Sequence, residues 1–213
     1  IPLSLITGVA GSGMGKIILW ILKKKKILKT NSQHIFYVVV CGLIIAGLGV
    51  FLDDKIFGSG KEIMVSTLFS DNKQLEWYVP IMRIFGSIIS FSTGASGGIF
   101  APSLSAGAAL GALFAEGFHL TANETNLIVL CGMTGFLTSM TRSPFTSSIL
   151  VLEMTVTHDV IFYIMLAALF SSLVATLISK HSFYDELKNQ FLHHILDEAH
   201  ESEVEMPKNK KDE

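Results

Sequence analysis

The sequence has 213 residues, of which 50% are hydrophobic and 16% are charged, and its formal net charge is −2. So few polar residues cannot cover a water-soluble globule of this length, and a nearly neutral chain has no strong field to attract nucleic acid. Composition therefore excludes a soluble domain, argues against a nucleic-acid partner and indicates an integral, multi-pass membrane protein.

Three apolar runs, 3–22, 35–52 and 160–178, are long enough to be membrane-spanning helices. A helix rises about 1.5 Å per residue, so it needs roughly 20 residues to cross a hydrocarbon core about 30 Å thick. Five lysines follow the first run, at positions 23, 24, 25, 26 and 29. Because short lysine-rich loops are retained in the cytoplasm, that end of the first helix is predicted to be cytoplasmic.

Two later apolar runs, 127–140 and 143–153, are shorter and correspond to helices of about 21 Å and 16 Å. We expect that neither spans the bilayer alone. Interrupted helices at membrane depth are tolerated only where protein buries them or where they line a wet cavity, which indicates a transporter or channel interior. The small residues of 107–111, Gly-Ala-Ala-Leu-Gly, predict a close contact between two helices.

The polar stretches are expected to be loops and solvated ends. Residues 53–61 contain Gly-Ser-Gly and predict a loop that extends to Glu62, and Arg142 is expected in a loop near the cytoplasmic or pore entrance. Residues 193–213 are predicted to be a polar cytoplasmic tail after a membrane domain over 1–192. Neither the two separated cysteines nor His193-His194 predicts a disulfide or a metal site.

The stretch 96–102, Ser-Gly-Gly-Ile-Phe-Ala-Pro, predicts the start of a helix within the membrane. Proline is tolerated in the first turn, and the glycines let the backbone bend and approach a ligand. Unpaired N–H groups at a helix start attract an anion without a full positive charge. An ordinary Gly–Pro break in a helix bundle is the simpler interpretation from these residues alone.

The residues 98–102, Gly-Ile-Phe-Ala-Pro, match every specified position of the Gly-x-Phe-x-Pro signature of the CLC family of chloride channels and chloride/proton exchangers. Residues 132–135, 142–144 and 149–155 resemble the paired short helices and the following long helix of that family. The resemblance extends over about residues 2–192 and corresponds to the second half of the family's membrane domain. It implies an all-α fold of tilted, partly re-entrant helices that forms one half of an inverted repeat.

The resemblance also implies a set of anion ligands. In that family, amides at the positions of Ile99 and Phe100 help to hold a central chloride, and a tyrosine hydroxyl that matches Tyr184 donates to the same ion. The predicted anion-binding residues are Gly98, Ile99, Phe100, Ala101 and Tyr184. Without the family, Tyr184 would be interpreted as an aromatic anchor at the membrane surface.

Function and partners follow from the same resemblance. It implies passage of chloride by a channel or by chloride/proton antiport, with no covalent chemistry, no cofactor and no metal. The expected partners are chloride, lipid, a missing first half that carries the gating and proton-path glutamates, and a second copy that contacts residues 145–153 and 160–179. The expected location is the plasma (inner) membrane. For Glu153, the family suggests a structural role at a helix end.

Other functions remain open at this point. One is a secondary carrier of another small anion. Another is a sodium-coupled carrier of an organic anion, which would be expected to show acidic or amide cation ligands beside the helix break. A membrane enzyme acting on phosphate-bearing substrates would need a metal cluster or a nucleophile with a base. A non-catalytic membrane scaffold would not need interrupted helices.

Overall fold

The computed structural model describes residues 1–25, 30–51, 58–70, 73, 75–94, 97–155 and 158–192. Within these ranges the regular secondary structure is helical and contains no strand, which confirms the predicted all-α class. The helices are α1 (Pro2–Lys25), α2 (Asn31–Phe51), α3 (Lys61–Phe69), α4 (Val79–Ser92), α5 (Phe100–Gly117), α6 (Ala122–Thr141), α7 (Pro144–Thr155) and α8 (Ile161–Ile178). A further helix, α9, begins at residue 183 and is described to residue 192.

Among the helices of the described ranges, three are long and apolar enough to cross a membrane: α1, the 32–50 part of α2, and α8. These are the three spans that the sequence predicts. α7, with 12 residues, is about 18 Å long, so the prediction of a short helix there is also confirmed. Glu153 is exposed near the C-terminal end of α7, as expected for a helix-end position, and Glu116 is exposed near the C-terminal end of α5.

The helix over 127–140 is longer than predicted, although it is not among the helices of the described ranges that are apolar enough to cross a membrane. α6 has 20 residues and is therefore about 30 Å long. Its first turn is polar and precedes the apolar run. That turn is held by a capping box, in which the Glu124 carboxylate accepts hydrogen bonds from the Thr121 amide at 2.9 Å and the Thr121 hydroxyl at 2.6 Å.

The assignment of Glu62 to a loop is wrong, because Glu62 lies in the first turn of α3. α3 forms because Ile63, Met64 and Leu68 lie on one helical face and are buried. Within the predicted loop, residues 52–57 are outside the described part of the chain. Gly58 and Gly60 form the turn before α3 with φ of 73° and 76°, a backbone conformation that favours glycine.

α5 and α6 pack backbone to backbone, which confirms the close contact predicted from residues 107–111. A Cβ atom placed on Gly107 would lie 2.4 Å from the Gly132 carbonyl oxygen, and one placed on Gly111 would lie 2.7 Å from the Val129 Cα. Only hydrogen fits at these two positions. In lipid, such close approach lets van der Waals contact hold two helices together.

Gly107→Ala is expected to lower the free energy of unfolding by about 1–3 kcal/mol, because the added methyl group has no space between α5 and α6. Gly42→Ala in α2 is the matched control, since nothing lies within 4 Å of a Cβ placed there. Thermal unfolding in detergent measures both variants. Equal midpoints would contradict the close contact.

Candidate anion-binding site

The start of α5 leaves backbone amides without acceptors. The first four N–H groups of a helix have no partner within the helix. Here the first intrahelical bond runs from the Ser103 amide to the Ile99 carbonyl, at 3.0 Å, and no side chain caps the start. Pro102 has no N–H. No residue in the described ranges accepts a hydrogen bond from the amides of Ile99, Phe100 and Ala101.

The same segment is buried on one side and open on the other. The Ile99 side chain is 2% exposed and belongs to a core cluster with Met140 and Phe183. By contrast, Gly98 is exposed and the Phe100 side chain is 40% exposed. Ile99 therefore anchors the beginning of α5 in the core, while the adjacent backbone remains accessible.

Tyr184 is brought to this helix start by the residues around it. Phe183 is buried in the core cluster that contains Ile99. Ser182 caps α9, since its Oγ accepts a hydrogen bond from the Asp185 amide at 3.1 Å and donates to Asp185 Oδ2 at 2.7 Å. As a result, the ring centroids of Phe100 and Tyr184 lie 6.3 Å apart. The structure thus places Tyr184 beside Phe100, although the two predicted anion-binding residues are far apart in the sequence.

The Tyr184 hydroxyl is a neutral donor. Tyr184 is 40% exposed, and its hydroxyl has no hydrogen-bond partner in the part of the chain that the structure describes. Partial burial raises the pKa of the phenol above its ordinary value, so the group stays protonated at physiological pH. A protonated phenol can donate a hydrogen bond to an anion without forming a salt bridge.

Arg142 holds the backbone that leads to Tyr184. It ends α6 in the left-handed conformation, with φ of 60°. Its guanidinium group donates to the Ala175 carbonyl, to the Ser179 carbonyl at 2.8 Å and to Thr176 Oγ1 at 2.6 Å. A cation is favourable at these carbonyls, which form the negative end of α8. The sequence indicated a loop position near the pore entrance but did not reveal this contact.

Arg83 is a buried cation near α5 to which no sequence pattern assigns a role. The side chain is 3% exposed, and its Nε donates to Ser105 Oγ at 2.8 Å, within the second turn of α5. A cavity of about 310 Å³ is bordered by Arg83, Ser87, Ser90 and Pro102. This arrangement places positive charge beside the first turns of α5 without putting it among the free amides.

Comparison with known proteins identifies the family. The sequence model described as "Voltage gated chloride channel" matches residues 1–176. The chain belongs to this family. It is 29% identical over 160 residues to the H(+)/Cl(-) exchange transporter ClcA of Klebsiella pneumoniae strain 342, and equally to that of strain ATCC 700721 / MGH 78578. These matches cover 72% of the chain and 32% of each relative, so the match spans about a third of their length.

A solved structure shares the fold of this family member. It is described as the X-ray crystal structure of a slow cyanobacterial Cl-/H+ antiporter, and the match has a TM-score of 0.78 at 23% sequence identity. The match covers 90% of this chain and 46% of that protein. The predicted architecture, an all-α unit that amounts to about half of a larger CLC-type fold, agrees with this coverage.

Arg142→Met is expected to lower the free energy of unfolding by about 2–3 kcal/mol, because the carbonyls at the end of α8 lose a charged donor. Lys180→Met is the matched control, since Lys180 is an exposed cation in the segment after α8. Denaturant unfolding of the full-length protein compares them. If both variants unfold at the same denaturant concentration, Arg142 does not hold α8.

Proposed function

We propose that this chain forms the second half of a chloride-transporting membrane protein, either a channel or a chloride/proton antiporter. The anion binds at the start of α5, held by the amides of Ile99, Phe100 and Ala101 and by the Tyr184 hydroxyl, with Gly98 giving it access to the backbone. One observation carries the proposal. Among the described residues, the amides at the start of α5 have no acceptor and the Tyr184 phenol has no partner. These donors lie close together, since the rings of Phe100 and Tyr184 are 6.3 Å apart.

The charge distribution of this site suits ion passage. The proposed ligands are neutral donors reinforced by the α5 dipole, which corresponds to about half a positive charge at the helix start. Arg83 adds attraction from beside the second turn, where it is hydrogen-bonded to Ser105. Permeation requires binding that is favourable and still escapable, and neutral ligands with a nearby cation provide this balance.

Family membership and the named relatives support chloride as the cargo. Both ClcA proteins are described as H(+)/Cl(-) exchange transporters. Under the proposal, the remaining half of the protein supplies the gating and proton-path groups and closes the open side of the site. Because no group in the site forms a covalent bond to the ion, we propose a transporter without cofactor or enzymatic chemistry.

The proposed setting is the plasma (inner) membrane, with the lysine-rich end of α1 and the tail over 193–213 in the cytoplasm. The tail lies outside the described residues. The protein is further proposed to be a homodimer that pairs through α7 and α8. Both helices present large exposed apolar side chains: Phe145, Ile149, Phe162, Leu169 and Leu173.

Tyr184→Phe in the full-length protein is expected to weaken chloride binding roughly tenfold, because one hydrogen bond to a charged ligand is lost. Tyr163→Phe is the matched control, since Tyr163 is an exposed tyrosine of α8, remote in sequence from α5. Calorimetric titration with chloride measures the affinity of both variants. An unchanged affinity of the Tyr184 variant would remove Tyr184 from the site.

The amide of Phe100 is tested by replacing its N–H with an ester oxygen, through incorporation of the α-hydroxy analogue of phenylalanine. The side chain is retained, and the removed N–H has no acceptor within α5. The Ile99 carbonyl becomes an ester carbonyl, which still accepts from the Ser103 amide but less strongly. We expect chloride affinity to fall about tenfold or more. Full affinity with the ester in place would contradict anion binding by the Phe100 amide and, with it, the central part of the proposal.

A further inference from the structure

A small cavity lies between α1, the end of α6 and the segment that follows α8, apart from the start of α5. Its volume is about 20 Å³. The lining residues that matter here are Ser12, Lys16, Met140, Arg142, His181 and Phe183. None of the lining residues in the described part of the chain is acidic.

Two polar atoms at this cavity have no partner among the described residues: Ser12 Oγ and Arg142 Nε. Both are fully buried atoms, and the Ser12 side chain is only 6% exposed. Buried polar atoms almost always have a hydrogen-bond partner, because leaving one unpaired is costly. Arg142 Nε can only donate, so its missing partner is an acceptor, and the Ser12 hydroxyl is able to donate to the same acceptor.

The charges at the cavity favour an anion over a neutral acceptor. Arg142 and Lys16 are both positive, and each is tied to the end of α8, where Lys16 Nζ donates to the Ile178 carbonyl at 2.5 Å. Those carbonyls carry only a fraction of a negative charge. The Arg142 charge is therefore only partly compensated at the cavity, and the exposed Lys16, which also borders a surface cavity with Glu186, adds a solvent-screened positive charge beside it.

The volume limits the anion to a single atom. A cavity needs about 10–15 Å³ to hold one water molecule, so about 20 Å³ accommodates one particle slightly larger than water. A phosphate or a carboxylate ligand would not fit. A halide has the required size and charge.

We propose that this cavity is a second halide site, in which Ser12 and Arg142 donate to the ion and Lys16 supplies charge. It serves as a waiting position for chloride on the lysine-rich side of the protein, an assignment that rests on the proposed chloride transport. Met140 and Phe183 lie between this cavity and the start of α5, since both line the cavity and pack in the core cluster with Ile99. Tyr184, the proposed ligand at α5, directly follows Phe183.

The site is tested with crystals of the full-length protein soaked in bromide, whose anomalous scattering distinguishes it from water. We expect a bromide peak between Ser12 Oγ and Arg142 Nε. A water there that bromide does not replace overturns the inference. A peak only at the start of α5 overturns this inference and leaves the proposed function intact, whereas a peak only in the cavity supports the inference and contradicts the proposed ligands at α5.

Transport measurements on matched variants test the role of the site. Lys16→Met is expected to raise the half-saturating chloride concentration on the lysine-rich side about fivefold, as expected for loss of one partly screened charge. Ser12→Ala is expected to raise it by a smaller factor without changing charge. Lys23→Met, which removes an exposed lysine from the same helix, is expected to leave it unchanged.

Thermal unfolding of each variant separates loss of binding from loss of folding. The site is supported if Lys16→Met and Ser12→Ala unfold at the same temperature as the unmodified protein but need a higher chloride concentration for half-saturation. An equal effect of Lys16→Met and Lys23→Met would indicate a general surface-charge effect and overturn it. The site is also overturned if the Lys16→Met and Ser12→Ala variants fold normally and transport chloride with an unchanged half-saturating concentration.

Discussion

The unpaired amides at the start of α5 are the feature on which the rest of the site depends. An N–H group without an acceptor is costly away from water, and Ile99, Phe100 and Ala101 place three of them in succession. No side chain caps them, and the Ser103 hydroxyl donates to the Ile99 carbonyl at 2.7 Å rather than accepting from an amide. The helix start can therefore take an acceptor from outside the helix, and under the proposed function that acceptor is a halide, which also responds to the helix dipole.

Such a site requires a rigid helix, and the packing of α5 provides it. Gly107 and Gly132 bring α5 and α6 into backbone contact, so α5 has little freedom to slide or rotate. At the helix start, the Ile99 side chain is inserted into the core with Met140 and Phe183. Polar backbone is thus exposed next to a well-packed apolar anchor, which fixes the positions of the unpaired donors.

Much of this arrangement could be predicted from sequence because its determinants are local. Length and apolar character predicted the three spanning helices, and the Gly-Ile-Phe-Ala-Pro stretch predicted the start of α5. α6 was predicted too short because its first turn is polar and is stabilised by a capping box. α3 was missed because a helix of nine residues depends on burial against other helices.

The contacts of the cations could not be predicted for a different reason. Lys16 and its acceptor Ile178 are 162 residues apart, and Arg142 and Ser179 are 37 residues apart. No local pattern encodes such pairings, since they exist only once α1, α6 and α8 have packed. The cavity at Ser12 is likewise a product of tertiary packing, and its unpaired donors become visible only when the surrounding carbonyls are in place.

The attachment of Arg142 to the end of α8 has a mechanical consequence. Five residues separate the last residue of α8 from Tyr184, and the first of them, Ser179, is bound by the guanidinium group. A shift of α8 along its axis would therefore pull on a short, tethered segment and alter the distance between the Tyr184 ring and Phe100. A force on the outer, apolar surface of α8 would in this way reach the aromatic pair beside the free amides.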